Sequence, residues 1–138
     1  MKVATSYFYG IRFFRPDMIP LSTAKWDPLW FQNRGLPWID RRGVVNGLRA
    51  EPLVPNGREE YAEQLSRLDC GDFLARAEGI CEAMRTVVGF EGEPTAVFIV
   101  YEAPSNPMSE RVAIQAYFRK NGVVCEEVNL DELKGGVF

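Results

Sequence analysis

The chain has 138 residues, of which 46% are apolar and 25% are charged, and its formal net charge is −3. This length suits one domain over residues 1–138, and the composition is typical of a globular protein rather than a disordered or fibrous one. The acidic balance excludes an overall basic field of the kind that dominates non-specific nucleic-acid binding.

Histidine is absent from the sequence, and the three cysteines are Cys70, Cys81 and Cys125. Without imidazole, this chain cannot supply a Ser-His-Asp triad, a Cys-His pair or a histidine-ligated metal site. The cysteines lack a C-x-x-C spacing, which argues against a disulfide framework or a thiolate metal site and favours free thiols in the cytoplasm. No apolar run approaches the roughly 20 residues that span a bilayer, so we expect a cytoplasmic protein without membrane contact.

The amino-terminal half of the sequence predicts two strands and an irregular loop. Residues 2–9 mix β-branched and aromatic side chains, which predicts a strand, and residues 19–23 predict a second one after a turn. Residues 25–42 contain three tryptophans, two prolines and one glycine, so we expect an ordered loop with one helical turn. Residues 44–54 contain an Asn-Gly turn signal, and Pro52 argues against a regular central strand there.

Two consecutive helices are predicted in the middle of the chain. Residues 59–68 form the shorter candidate. A longer amphipathic helix follows, in which Asp69 is the cap, Asp72 suits the first turn and Gly89 ends the helix. Apolar residues repeat along this segment at helical spacing while the other face is charged, which is typical of a helix packed on a sheet.

The last third of the chain predicts a strand–helix–strand unit. Residues 95–101 form a nearly unbroken apolar run, typical of a strand buried on both faces. After a loop, the spacing predicts a helix from Pro107 to about Lys120, with Asn106 as its cap, and then a strand over residues 123–128. Such a unit implies a right-handed crossover and parallel strands. We therefore predict an α/β fold: a single three-layer domain with a small, mostly parallel sheet flanked by helices.

Polar residues of this last unit fall at the carboxyl edge of the predicted sheet, where open parallel sheets bind their ligands. The helix entry offers free backbone N–H groups and the positive end of the helix dipole, which suit an anion. We predict that the ligand-binding residues here are Ser105, Asn106, Ser109 and Arg111. Helix capping by Asn106 and Ser109, and an ion pair between Arg111 and a neighbouring carboxylate, are the structural alternatives.

Two carboxylates at the same edge are candidates for acid–base catalysis. Glu102 directly follows the buried strand, where partial loss of water favours such a role, and Glu110 lies near the helix entry. A simple salt bridge is the structural alternative for Glu102. In a chain without histidine, an acid or base must be Asp, Glu, Lys, Tyr or Cys.

Two further residues extend the predicted ligand site. If the first strand runs parallel to the last unit, its exit brings Arg12 to the same edge, beside Tyr9. Trp26, together with Trp30 and Trp38, offers a surface on which a base can stack or a partner can bind. Packing in the core of a small domain is the alternative for these tryptophans.

Four stretches of the chain carry a resemblance to a known family: ATSYFYGIR at 4–12, IPLSTAKWDPLWF at 19–31, NGLRAEPLVP at 46–55 and YEAPSNPMSER at 101–111. They resemble the bacterial and phage proteins grouped as domain-of-unknown-function family 488, particularly its short branch. The resemblance implies an α/β fold and a pocket at the acidic end of a strand, and Glu102 and Arg111 fit the family pattern. Met108 stands where members carry a Cys or a Cys-His-Arg run, so the resemblance brings no reaction with it.

Two functions fit these residues. One is an anion site for a nucleotide or nucleic-acid phosphate, held by Arg12, Arg111 and the helix entry, with Glu102 or Glu110 as acid or base. The other is a non-catalytic binding or interaction module with a protein partner, such as a phage or defence-system accessory that lacks the family's Cys and His. The sequence contains no spacing typical of a metal site, and it leaves the cofactor and the oligomeric state open.

Overall fold

A four-stranded parallel sheet forms the centre of the domain. The computed structural model describes residues 1–23, 57–106 and 109–135 together with Pro28. The strands are β1 (Lys2–Tyr7), β2 (Met18–Ser22), β3 (Thr95–Val100) and β4 (Cys125–Glu127), in the spatial order β2-β3-β1-β4. Every strand pair is parallel. The predicted α/β class and the parallel sheet are therefore confirmed.

Helical segments cover both faces of the sheet. They are a 3₁₀ helix (Phe8–Phe13), α1 (Gly57–Ser66), α2 (Cys70–Met84), α3 (Arg111–Lys120) and α4 (Leu130–Gly135). Side chains of α1, α2 and α3 pack on one face, and those of the 3₁₀ helix and α4 pack on the other. This arrangement gives the three layers that the sequence predicts.

Strand β3 is the central element of both cores. Its side chains alternate in direction, so Ala96, Phe98 and Val100 face α2 and α3 while Val97 and Ile99 face the 3₁₀ helix. All five are at most 2% exposed. Burial on both faces explains why this segment reads as an unbroken apolar run rather than as an alternating one.

Several predicted boundaries agree with the structure. Asp69 caps α2, and its side chain accepts a hydrogen bond of 2.9 Å from the backbone N–H of Asp72. The helix then continues as a π-helical turn over Arg85–Gly89 and ends at Gly89, whose φ of 77° lies in the left-handed region that favours glycine. The cap and the end of this helix are therefore confirmed.

Other predicted boundaries are wrong. Helix α3 begins at Arg111 rather than Pro107, and its N-cap position is Glu110 rather than Asn106. The backbone before it forms turns instead, because Asn106 N–H donates to Ala103 O and Ser109 N–H donates to Asn106 O. The first strand also ends at Tyr7, where the 3₁₀ helix takes over.

Part of the sequence prediction lies outside the described residues. The loop expected over residues 25–42, the segment 44–54 and the tryptophans at 26, 30 and 38 belong to this part. Within the described ranges, no helix combines the length and the apolar character that crossing a membrane requires.

We expect Phe98→Ala to reduce the free energy of unfolding by about 3–5 kcal/mol, because it opens a cavity in a packed core. The Phe98 ring lies 5.5 Å from that of Phe73 and 5.4 Å from that of Phe118, measured between centroids. Urea unfolding measures the loss. Val124→Ala is the control, since Val124 is 77% exposed, and it should change stability by less than about 0.5 kcal/mol. Equal losses in the two variants would contradict this account of the core.

Candidate functional site

The carboxyl ends of β1 and β3 meet the start of α3 at one edge of the sheet. Glu102 lies in the bend after β3, and Ser109, Glu110 and Arg111 enter α3 directly above it. The last three are 4% exposed or less. The structure therefore brings four of the predicted site residues together, and it buries most of them.

Arg111 ties three elements of this edge to one another. Its Nε donates to Ser109 Oγ over 3.1 Å, and its Nη2 donates to the backbone carbonyl of Glu102. Its Nη1 lies 2.8 Å from Glu127 Oε2 at the end of β4, an ion pair that lacks the angles of a hydrogen bond. Because Arg111 is only 4% exposed, an incoming anion would have to displace Glu127 to reach the guanidinium.

The helix entry is also occupied from within the chain. Ser109 Oγ accepts hydrogen bonds from both the backbone N–H and the side-chain Nε of Arg111, and Ser109 O accepts from the N–H of Val112. Ser105 is exposed on the preceding turn, and Asn106 is half-buried there. The first backbone N–H groups of α3, which the sequence analysis predicts to bind an anion, therefore already donate to Ser109.

Glu102 and Glu110 form a pair of carboxyl groups. Burial raises the pKa of Glu110 to about 8, and a hydrogen bond to the Glu102 carboxylate adds to the effect because it favours the protonated form. Neither carboxylate oxygen of Glu102 is exposed, and no ionised or amide group in the described ranges donates to them. A protonated Glu110 would supply the donor that Glu102 lacks.

A polar chain behind Arg111 involves residues that the sequence analysis did not select. Thr5 Oγ1 on β1 donates to Glu127 Oε1 over 2.8 Å, and Gln115 Nε2 on α3 donates to Thr5 Oγ1 over 2.7 Å. Burial raises the pKa of Glu127, although the hydrogen bond from Thr5 and the positive charge of Arg111 act in the opposite direction. Glu127 could have been found by the signal used for Glu102, since each carboxylate stands at the end of a strand.

Arg12 lies at the exit of β1, in a group that we call the Tyr9 patch: Tyr9, Arg12, Phe13 and Lys134. The Arg12 guanidinium stacks 4.3 Å from the Tyr9 ring centroid, and Arg12 Nε donates to Tyr9 O over 3.2 Å. Lys134 Nζ on α4 lies 5.5 Å from the Tyr9 ring and 4.9 Å from the Phe13 ring. Tyr9 is 45% exposed, so the patch faces solvent. Lys134 is another residue that the sequence analysis missed.

The Tyr9 patch is continuous with the buried edge. The rings of Tyr7 and Tyr9 stack with centroids 6.0 Å apart, and the Arg111 guanidinium lies 5.9 Å from the Tyr7 ring. Tyr101, which is 38% exposed, packs against Phe8 at 4.7 Å on the neighbouring strand exit. Buried carboxyl groups, a buried arginine and exposed aromatic rings therefore lie next to one another on one side of the domain.

Trp26, the remaining predicted ligand residue, lies outside the described residues. Within residues 1–23, 57–106 and 109–135, no three carboxylate or thiol side chains gather closely enough to hold a metal ion. Family models, curated proteins and solved structures yield no match to the chain. The resemblance to family 488 therefore stays a prediction, and the geometry carries the functional argument.

We expect Arg111→Met to reduce the free energy of unfolding by about 3 kcal/mol, because it leaves the Glu127 carboxylate without its countercharge. The estimate is the low end for a broken buried ion pair, since the Glu127 side chain is still 23% exposed. Chemical unfolding of the single variants and of Arg111→Met/Glu127→Gln measures the coupling. The double variant should recover part of the loss. Simple additivity of the two single losses would argue against this pairing.

We expect the stability of the protein to fall as the pH rises from 5 to 8, and Glu110→Gln to weaken that fall. The folded state binds the Glu110 proton up to about pH 8, whereas the unfolded chain releases it near 4.5. Stability is therefore fullest at the acidic end of this window and is lost toward pH 8, with a slope of at most about 1.4 kcal/mol per pH unit.

Urea unfolding at pH 5, 6.5 and 8 tests this expectation. Glu78→Gln is the matched control because Glu78 is exposed on α2. A smaller decrease of stability with rising pH should persist in Glu110→Gln, since the raised pKa of Glu127 acts in the same direction. Identical pH profiles for the wild type and Glu110→Gln would exclude a shared proton at this edge.

Proposed function

We propose that the Tyr9 patch binds the phosphate of a nucleotide or nucleic acid, with a base stacked on Tyr9. The observation that carries this proposal is that two cations, Arg12 and Lys134, converge on one exposed aromatic ring at the carboxyl edge of the sheet. Among the described residues, neither cation has a carboxylate within ion-pair distance. Both charges are therefore available to an anion without prior disruption of a salt bridge.

The chemistry of the patch suits this class of ligand. A guanidinium can donate two parallel hydrogen bonds to phosphate oxygens, and a lysine ammonium adds a mobile point charge. Stacking of a base on an exposed aromatic ring contributes about 1–3 kcal/mol and is tolerant of sequence. The position also agrees with the general rule that ligands bind beyond the carboxyl ends of parallel strands.

The overall charge of the protein sets the expected strength of binding. With a net charge of −3, long-range attraction does not assist a polyanion, so the contacts must be local and few. Two phosphate contacts on a single strand correspond to a slope of about −1.4 in log affinity against log salt concentration. A weak but detectable salt dependence is thus part of the proposal.

A catalytic role at the same edge is a second candidate, and it is favoured by the raised pKa of Glu110. A carboxylic acid that keeps its proton near neutral pH can donate it to a leaving group, and the Glu102 carboxylate beside it favours reprotonation of Glu110 from water afterwards. In this variant of the proposal, the Tyr9 patch holds the phosphate while Glu110 acts as general acid.

We expect Arg12→Ala/Lys134→Ala to weaken binding of a short fluorescein-labelled oligonucleotide by about a hundredfold or more, because each of the two lost charged hydrogen bonds costs at least about 1.5 kcal/mol. Fluorescence anisotropy at 50 and 200 mM salt measures the affinity and its salt slope. Tyr9→Phe should bind nearly as the wild type does, and Tyr9→Ala should bind more weakly because it removes the stacking ring.

Arg119→Ala/Lys120→Ala is the matched control, since it makes the same charge change at the exposed end of α3. An equal loss in the two double variants would show that net charge, and not the patch, governs binding. Absence of binding by oligonucleotides, ATP and inorganic phosphate in the wild type would overturn the proposal and favour the interaction module. Hydrolysis of a bound nucleotide that Glu110→Gln abolishes would support the catalytic candidate.

A further inference from the structure

The two cations of the Tyr9 patch lie close to one and the same ring. The Arg12 guanidinium is 4.3 Å and the Lys134 ammonium is 5.5 Å from the centroid of Tyr9. Arg12 Nε donates to Tyr9 O, which leaves the two Nη groups of the guanidinium for a ligand. Both cations are therefore placed to contact a single bound group rather than two separate ones.

The donors on these two side chains match a phosphate with three terminal oxygens. The Nη groups of Arg12 can donate in parallel to two oxygens, and the Lys134 ammonium can donate to a third. A phosphate monoester has three such oxygens and carries a charge of about −1.5 to −2 at neutral pH. A phosphodiester inside a nucleic-acid strand has two terminal oxygens and a single negative charge. One monoester therefore balances both cations, whereas one diester does not.

Acidic side chains on both sides of the patch disfavour additional phosphates. Asp131 is exposed and lies one turn before Lys134 on α4, so the two residues are on the same side of this helix. The carboxyl pair, Glu102 and Glu110, lies at the start of α3, which packs on the other face of the sheet. A strand that extends from the patch in either direction would bring its next phosphates toward negative charge.

We infer that the Tyr9 patch selects the terminal phosphate monoester of a nucleotide over the phosphodiesters inside a strand. This inference rests on the proposed function and specifies its ligand. Arg12 holds two of the phosphate oxygens, Lys134 holds the third, and the base stacks on Tyr9. The selection has an attractive part, the extra charged contact, and a repulsive part, the acidic groups on either side.

Fluorescence anisotropy with a 3′-fluorescein-labelled oligonucleotide tests this inference, with either a phosphate or a hydroxyl at the 5′ end. We expect the 5′ phosphate to tighten binding at least about tenfold, the effect of one further charged hydrogen bond. In competition, AMP should displace the probe at least about tenfold more effectively than its methyl ester, which has the same base and sugar but a single negative charge. The tighter of AMP and the phosphorylated strand identifies the source of the monoester, and either order agrees with the inference.

Variants of the two cations separate their roles. Lys134→Met should abolish most of the preference for AMP over its methyl ester, because it removes the donor to the third oxygen. Arg12→Met should weaken binding of both compounds to a similar extent. Lys120→Met is the matched control, since Lys120 is exposed in the last turn of α3, and it should keep the wild-type preference. Thermal unfolding verifies that each variant folds.

The possible failures of this inference and of the proposed function are distinguishable. Equal binding of AMP and its methyl ester would overturn the inference while the proposed function stands, since a phosphate would still be bound. A preference for AMP that survives in Lys134→Met would also overturn it. If AMP, its methyl ester and both oligonucleotides all fail to bind the wild type, the proposed function fails as well.

Discussion

The ion pair between Arg111 and Glu127 organises the carboxyl edge of this domain. It joins the start of α3 to the last residue of β4, and the same guanidinium also holds the carbonyl of Glu102 after β3. Removing two charges from water is costly, so such a pair persists only where further hydrogen bonds complete it. Here Ser109 accepts a hydrogen bond from the Arg111 guanidinium, and Thr5 donates one to the Glu127 carboxylate. Gln115 in turn donates to Thr5.

Because the Arg111–Glu127 ion pair is buried, the carboxyl edge has an inner, buried part and an outer part at the Tyr9 patch. Glu127 balances the positive charge of Arg111 inside the protein, and no other cation in the described part of the chain forms an ion pair with the nearby carboxyl pair, Glu102 and Glu110. The pair lowers its charge by keeping a proton, as the raised pKa of Glu110 indicates. Two further cations lie on the Tyr9 patch, the exposed Arg12 and the half-buried Lys134. The buried carboxyl pair and the two cations of the Tyr9 patch thus lie at different places along one continuous surface.

Local signals in the sequence are sufficient to predict the fold class and the parallel strand–helix–strand unit that forms this edge. The apolar run at 95–100 and the Asp69 cap act over a few residues, and both are recovered correctly. Asn106 followed by Pro107 has the chemistry of a helix start, yet turns at Ala103 and Asn106 delay the helix to Arg111. The burial of Arg111 depends on Glu127, a residue on another strand whose proximity follows only from the sheet order β2-β3-β1-β4. Lys134 meets Tyr9 across more than a hundred residues of chain, so no local pattern indicates it.

The last strand of the sheet has a consequence for the behaviour of the protein at high concentration. β4 has three residues, two of which are glutamates, and it stands at the end of the described strand order. A long apolar border would act as a template for strands of other molecules and would promote fibril formation. A short acidic border offers few backbone groups to such a strand and repels an identical copy of itself, so this end of the sheet is protected against aggregation.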